Sequence, residues 1–226
     1  MKIRNMIALS LIILVTTFSV SYAGEQSASV KGGHVTAEML TSDKPVEFDI
    51  VDGKSTIEFI GKSFMHHFEG ISHNIDGFTK GPFNNGVYTD CQIKLPVDSL
   101  EGHALGSKKD DLSKNIHENL ESDKYPNIVF KLRKWVPGKK VDLENGKADY
   151  LVQGDLTIHN TTKSVIFPVK MDIQNGYLHF KGEYDRLNVR DFGVEPKPLM
   201  SIIHVDDHVD VKFDIYEDIN TKEIAG

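Results

Sequence analysis

Apolar and polar residues alternate along most of the chain. Val46, Phe48 and Ile50 are interleaved with Glu47 and Asp49, and Val87, Thr89, Cys91, Ile93 and Leu95 with Tyr88, Asp90, Gln92 and Lys94. The same period returns at Ile128/Phe130/Leu132, Val152/Gly154/Leu156/Ile158, Val165/Phe167/Val169/Met171, Leu178/Phe180 and Val209/Val211/Phe213/Ile215. Successive side chains of an extended backbone point to opposite faces, so each run predicts a strand with one apolar and one wet face. Asp52-Gly53, Asn85-Gly86, Asn145-Gly146 and Asn175-Gly176 fall between the runs and accept the positive φ of tight hairpins, so neighbouring strands are expected to be mostly antiparallel. Asn160-Thr161-Thr162 reads as a further turn. Only Asp110 to Ser122 departs from the period. Leu112, Ile116 and Leu120 recur every fourth residue there, which predicts a helix with Asp110 and Asp111 as caps and Tyr125-Pro126 as its stop.

Strands with one apolar face either stack as two sheets or close on themselves, and periodicity leaves both open. Closure removes exposed edges and can leave an apolar interior. No repeat or second domain is apparent.

The two ends differ from this body. Met1-Lys2-Ile3-Arg4 is positive, Met6 to Val20 is almost wholly apolar, and Ser21-Tyr22-Ala23 offers a cut before Gly24, the pattern of a secretory signal peptide over residues 1–23. The apolar run is shorter than the roughly 20 residues a membrane-spanning helix needs, so no stable span is expected after its removal. Residues 24–44 are small and polar and read as a flexible lead-in, 45–218 as the folded domain and 219–226 as a tail.

Of the 226 residues, 39% are hydrophobic and 26% charged, enough apolar material for a core. The 33 acidic against 26 basic residues give a net charge of −7, and loss of Lys2 and Arg4 with the signal makes the exported chain more acidic still. Such a surface repels phosphate backbones, so no nucleic-acid partner is expected. With Cys91 the single cysteine, neither an intrachain disulfide nor a cysteine-based zinc site can form.

Four segments in order carry a resemblance: Lys62-Ser63-Phe64-Met65-His66-His67-Phe68-Glu69-Gly70, Asp123-Lys124-Tyr125-Pro126-Asn127-Ile128-Val129-Phe130, Gly154-Asp155-Leu156-Thr157-Ile158 and Arg190-Asp191-Phe192-Gly193. From about Val46 to Glu217 the chain resembles the YceI-like family. The resemblance implies an all-β fold, an extended antiparallel lipocalin-like β-barrel of about eight strands with one inserted helix near residues 110–122. It also implies a long-chain polyisoprenoid or quinone-like lipid in the lumen, with no other cofactor, and periplasmic residence in Gram-negative members.

Phe59, Phe130, Leu132, Leu156, Phe167, Val169, Phe180, Val211 and Phe213 lie on the apolar faces and are the candidate lining. They either pack a solid core or enclose a hollow. His66 and Arg190 are candidates for a polar head group near one mouth; for Arg190, pairing with a carboxylate is the simpler role. His66, His67 and His73 could instead serve a metal-assisted enzyme, although adjacent residues of a strand face opposite ways and no His-Glu-x-x-His spacing occurs. No catalytic serine elbow or phosphate loop is present, and Arg190-Asp191-Phe192-Gly193 lacks the rest of a kinase signature. Cys91, in phase with apolar neighbours, reads as a buried, inert thiol. A lipid carrier or store is therefore expected, with a stress-response or interaction protein as the rival, and a homodimer left open.

Overall fold

The computed structural model describes residues 33–63, 67–83, 90–104, 108–196 and 205–220. Its strands are β1 (Glu47–Ile50), β2 (Thr56–Ser63), β3 (His67–Ser72), β4 (Asp76–Lys80), β5 (Asp90–Pro96), β6 (Glu101–Ala104), β7 (Asn127–Asp142), β8 (Lys147–Ile158), β9 (Thr161–Gln174), β10 (Tyr177–Asn188) and β11 (Val205–Ile219). The helices are α1 (Ala37–Thr41) and α2 (Lys109–Asn119). All strand pairs are antiparallel.

Eight strands, in the order β1-β4-β5-β7-β8-β9-β10-β11, close on themselves through pairing of β11 with β1. Closure decides between the two arrangements that alternation leaves open. β11 is long enough to serve two partners on one side: Glu217 pairs with Ile50 of β1, and Asp214 with Thr56 of β2. Between them the chain detours through residues 51–55. Ser55 bridges the gap, its hydroxyl donating to the Tyr216 carbonyl (3.2 Å) and accepting from the Tyr216 amide (2.9 Å). The interruption is repeated on the next ladder, where β3 pairs with β2 and β4 with β1, and again where β5 gives way to β6.

The sheet order ends at β6, and α2 fills the seam beside it. Ser113 accepts from the Gly102 amide (2.8 Å), His117 Nε2 donates to the Leu100 carbonyl (2.9 Å), and Leu112 and Ile116 are buried. The helix starts one residue earlier than expected. Lys108 occupies the cap position without a side-chain cap bond, whereas Asp110 and Asp111 lie in the first turn, where their charge favours the helix dipole. The helix also ends before Tyr125-Pro126, as Leu120 caps it and Glu121 turns to φ 47°.

Hairpins form at three of the expected turns, with positive φ at His159 and Asn160, at Asn175 and Gly176, and at Gly146. Asp52-Gly53 turns, with Gly53 at φ 68°, but closes no hairpin, because β1 and β2 both pair with β11 and not with each other; Asn85-Gly86 lies outside the described residues. The lead-in departs from expectation within its described part. From Gly33 onward it is docked, because the Val35 amide donates to the Gly176 carbonyl (2.7 Å) and Val35 and Leu40 are buried. The His34 amide adds a bond to Asp218 Oδ1 (2.9 Å), so burial and hydrogen bonds together pin this segment. Leu40, Phe48, Phe83, Leu143, Tyr150 and Leu178 fill the β1 end of the barrel, and Ile158, Leu187, Phe192, Val194 and Val209 form a smaller cluster elsewhere.

An apolar cavity as the candidate functional site

Beyond the packed β1 end the barrel is hollow. A cavity of about 260 Å³ is bounded by inward residues of the strands and by Leu112, Ile116 and Leu120 of the α2 segment. Phe59, Phe130, Leu132, Leu156, Phe167, Val169, Phe180, Val211 and Phe213 all line it. An apolar cavity of about 150 Å³ already stays dry and takes up small hydrocarbons, so this one has room for an apolar guest.

Large rings leave this space open because glycines lie beneath them. A Cβ added at Gly70 would fall 2.1 Å from the Phe59 ring, at Gly61 2.0 Å from Phe68, at Gly154 2.3 Å from Phe130 and at Gly182 2.3 Å from Phe213. On β2 and β3 the exchange is reciprocal, since Phe59 pairs with Gly70 and Gly61 with Phe68. Each ring lies down on the neighbouring strand instead of standing into the lumen, a cross-strand aromatic–glycine arrangement that also covers exposed backbone. Phe167 joins the walls, with ring centroids 5.4 Å from Phe130, 5.6 Å from Phe213 and 6.1 Å from Tyr184. Such edge and tilted contacts hold the rings in place.

The lining is polar at two places. Toward the surface, Asn115, Asn119 and the exposed Asp206 border it. At the opposite limit, against the packed end, stand Thr79, Cys91 and Glu217. Glu217 is 1% exposed; the Thr79 hydroxyl donates to its Oε1 at 2.6 Å, while Oε2 has no hydrogen-bond partner among the described residues. Burial, with a smaller contribution from the charge of Asp49, pushes the Glu217 carboxyl up to about 8, so it is mostly protonated at pH 7. Burial likewise pushes the Cys91 thiol far above its usual range, and Glu217 adds to the rise. Cys91 is therefore expected to resist an aromatic disulfide reagent in the folded protein and to react with one equivalent on unfolding; prompt labelling under native conditions would contradict its placement.

The remaining sequence candidates lie elsewhere. Arg190 is exposed and outside the lining, its Nε donating to Asp207 Oδ2 at 2.6 Å, although its neighbour Val189 does line the cavity. His66 lies outside the described residues. His67 is exposed, His73 Nδ1 is 3.1 Å from Thr56 Oγ1, and among the described residues no three His, Cys, Asp or Glu side chains are grouped to hold a metal. The helix side of the wall and the polar floor were not among the expected site residues. The floor had a signal: Glu217 continues the inward series of Val209, Val211, Phe213 and Ile215 in phase.

Residues 48–216 match the sequence pattern of the YceI-like domain. The chain belongs to the YceI-like family. Two solved structures share the YceI-like fold seen here. Burkholderia cenocepacia BcnA is 21% identical with a TM-score of 0.60, over 74% of this chain and 99% of its own. A polyisoprenoid binding domain from Saccharophagus degradans, implicated in plant cell wall breakdown, is 14% identical with a TM-score of 0.59, over 77% of this chain and 99% of its own. No protein of curated function matches the chain. Among the described residues no helix is long and apolar enough to cross a membrane.

Proposed function

We propose that this YceI-like protein is an exported carrier or store that holds a long-chain polyisoprenoid or a similar amphiphile in its barrel. The observation that carries this reading is the apolar cavity, kept hollow by phenylalanines lying over glycines. The Saccharophagus degradans relative, a polyisoprenoid binding domain of the same fold, supports it. Burial of apolar surface alone can supply the affinity. At about 0.8 kcal/mol per methylene, one five-carbon isoprene unit gains roughly 4 kcal/mol on leaving water. A few units thus offset the roughly 4–15 kcal/mol cost of association. The described lining fits such a role, since its side chains are overwhelmingly hydrocarbon. The signal-like segment at residues 1–23 supports export, to the periplasm in a Gram-negative cell.

Protein stripped of lipid by unfolding in denaturant and refolding provides the test. N-phenyl-1-naphthylamine, whose emission rises in apolar surroundings, is expected to bind saturably, and a C45 prenol to displace it. Fluorescence that grows without saturation, or that the prenol leaves unchanged, would count against a specific lumenal site.

A further inference from the structure

We propose that Glu217, backed by Thr79, is an anchoring site at the cavity floor for an uncharged, oxygen-bearing end group of the bound lipid: a hydroxyl, a phenol or a carbonyl. The inference rests on the lipid-binding reading of the cavity and narrows the ligand to a neutral amphiphile with a polar end at depth. A buried polar atom without a partner is costly and rare in a folded protein. Oε2 of Glu217 is such an atom, on a side chain 1% exposed that borders the cavity. Thr79 engages the other oxygen, donating to Oε1 at 2.6 Å, which fixes the carboxyl; Oε2 stays unpaired and is closed off from the cavity, so an end group reaches it by displacing the side chains that cover it. In its protonated form the carboxyl donates O–H to a carbonyl or hydroxyl oxygen of the lipid. It can also accept from a lipid hydroxyl.

The surroundings select against charge. Among the described residues no lysine or arginine lines the cavity, so a phosphate or diphosphate at the floor would meet a carboxyl without a counter-ion among them. Groups packed around Glu217 from each side agree. β1 brings Asp49, whose negative charge disfavours ionisation; β4 brings the Thr79 hydroxyl; β5 brings the Cys91 thiol, itself held protonated; and β10 sets the apolar Leu178 opposite. The site is thus switched by its own proton, and ionisation of Glu217 removes the donor.

Farnesol and the matching hydrocarbon β-farnesene are the probes, titrated into the delipidated full chain by competition with the fluorescent reporter. In Glu217→Leu, farnesol is expected to lose about tenfold in affinity while β-farnesene loses little or gains, because only the alcohol forfeits a hydrogen bond. Glu217→Gln keeps a donor and cannot ionise. It should bind a third probe, farnesylacetone, whose ketone can only accept, with nearly the same affinity from pH 6 to pH 9.5, whereas the native protein is expected to bind this ketone roughly tenfold more weakly as pH rises through the range where the carboxyl ionises. Equal changes for both probes, or for neither, would overturn the anchoring site and leave the lipid cavity standing. Failure of both probes to bind the native protein would bring down the cavity reading itself, and the anchor with it. Should Glu217→Leu not fold, the pH comparison decides: a Glu217→Gln profile as pH-dependent as the native one refutes the proposal.

Discussion

Gly61→Ala combined with Gly70→Ala is expected to weaken binding of an apolar probe by about thirtyfold or more, at a stability cost of roughly 1–3 kcal/mol. The new methyls would lie 2.0 Å from Phe68 and 2.1 Å from Phe59, and in both places the three nearest atoms belong to a ring. The backbone has no reason to move when a ring can turn. The rings must therefore rise off the wall, and the open side is the cavity both of them line. A ring in the lumen takes the room of roughly one isoprene unit, hence the loss in affinity. Adding Phe68→Leu to Gly61→Ala should restore much of the binding, because the shorter side chain needs no glycine beneath it. Titration of N-phenyl-1-naphthylamine, with denaturant unfolding alongside, measures both effects. Unaltered affinity in the double alanine variant would mean that the glycines do not keep the barrel hollow.

Replacing Glu217 by glutamine is expected to change how stability depends on pH. In the unfolded chain this carboxyl ionises near its ordinary 4.5, but in the folded protein only near about 8. Between those values the unfolded state has released a proton that the folded state still holds. Rising pH therefore favours unfolding, by about 1.4 kcal/mol per pH unit, and the loss levels off above the folded value. Glu217→Gln has no such proton, and its amide oxygen can still accept from Thr79. Relative to the native chain the variant should gain roughly 3 kcal/mol between pH 4.5 and about pH 7, the sign being stabilisation at neutral pH. Urea midpoints collected at intervals across that range give the difference directly. A constant difference would show that the native carboxyl is already ionised and has a counter-charge. A stability gain from removing this acid would fit a residue kept for binding rather than for folding.

Which parts of this architecture were legible in the sequence follows from what alternation can record. Long strands such as β8, β9 and β11 place bulky apolar residues inward and charged ones outward, and all nine apolar lining candidates came from such runs or from Phe59. β3, β4 and β6 are hidden by their own function. Their inward positions include Gly70, Gly77, Thr79 and Gly102, small residues that leave no hydrophobic period to read; Gly70 makes room for the Phe59 ring and Gly102 for α2. β2 is obscured in the same way by Gly61, which sits in phase with Ile57 and Phe59. Closure was beyond the reach of alternation, because pairing of β11 with β1 joins opposite ends of the domain, and only the family resemblance pointed to it. The helix was legible, but its place in the cavity wall depends on the seam beside β6. Arg190 shows the converse limit: its motif resembles the family's, while its guanidinium is spent on Asp207 at the surface.

The central claim is that the hollow barrel houses a lipid, and extraction tests it most directly. The full chain would be purified without detergent from cells that produce and export it, extracted with chloroform and methanol, and the organic phase weighed by mass spectrometry against the protein. One long-chain isoprenoid or comparable neutral amphiphile, at close to one molecule per chain, is the predicted result. Protein that is recovered empty in repeated preparations, and that then takes up neither a prenol nor a fluorescent hydrocarbon, would contradict it.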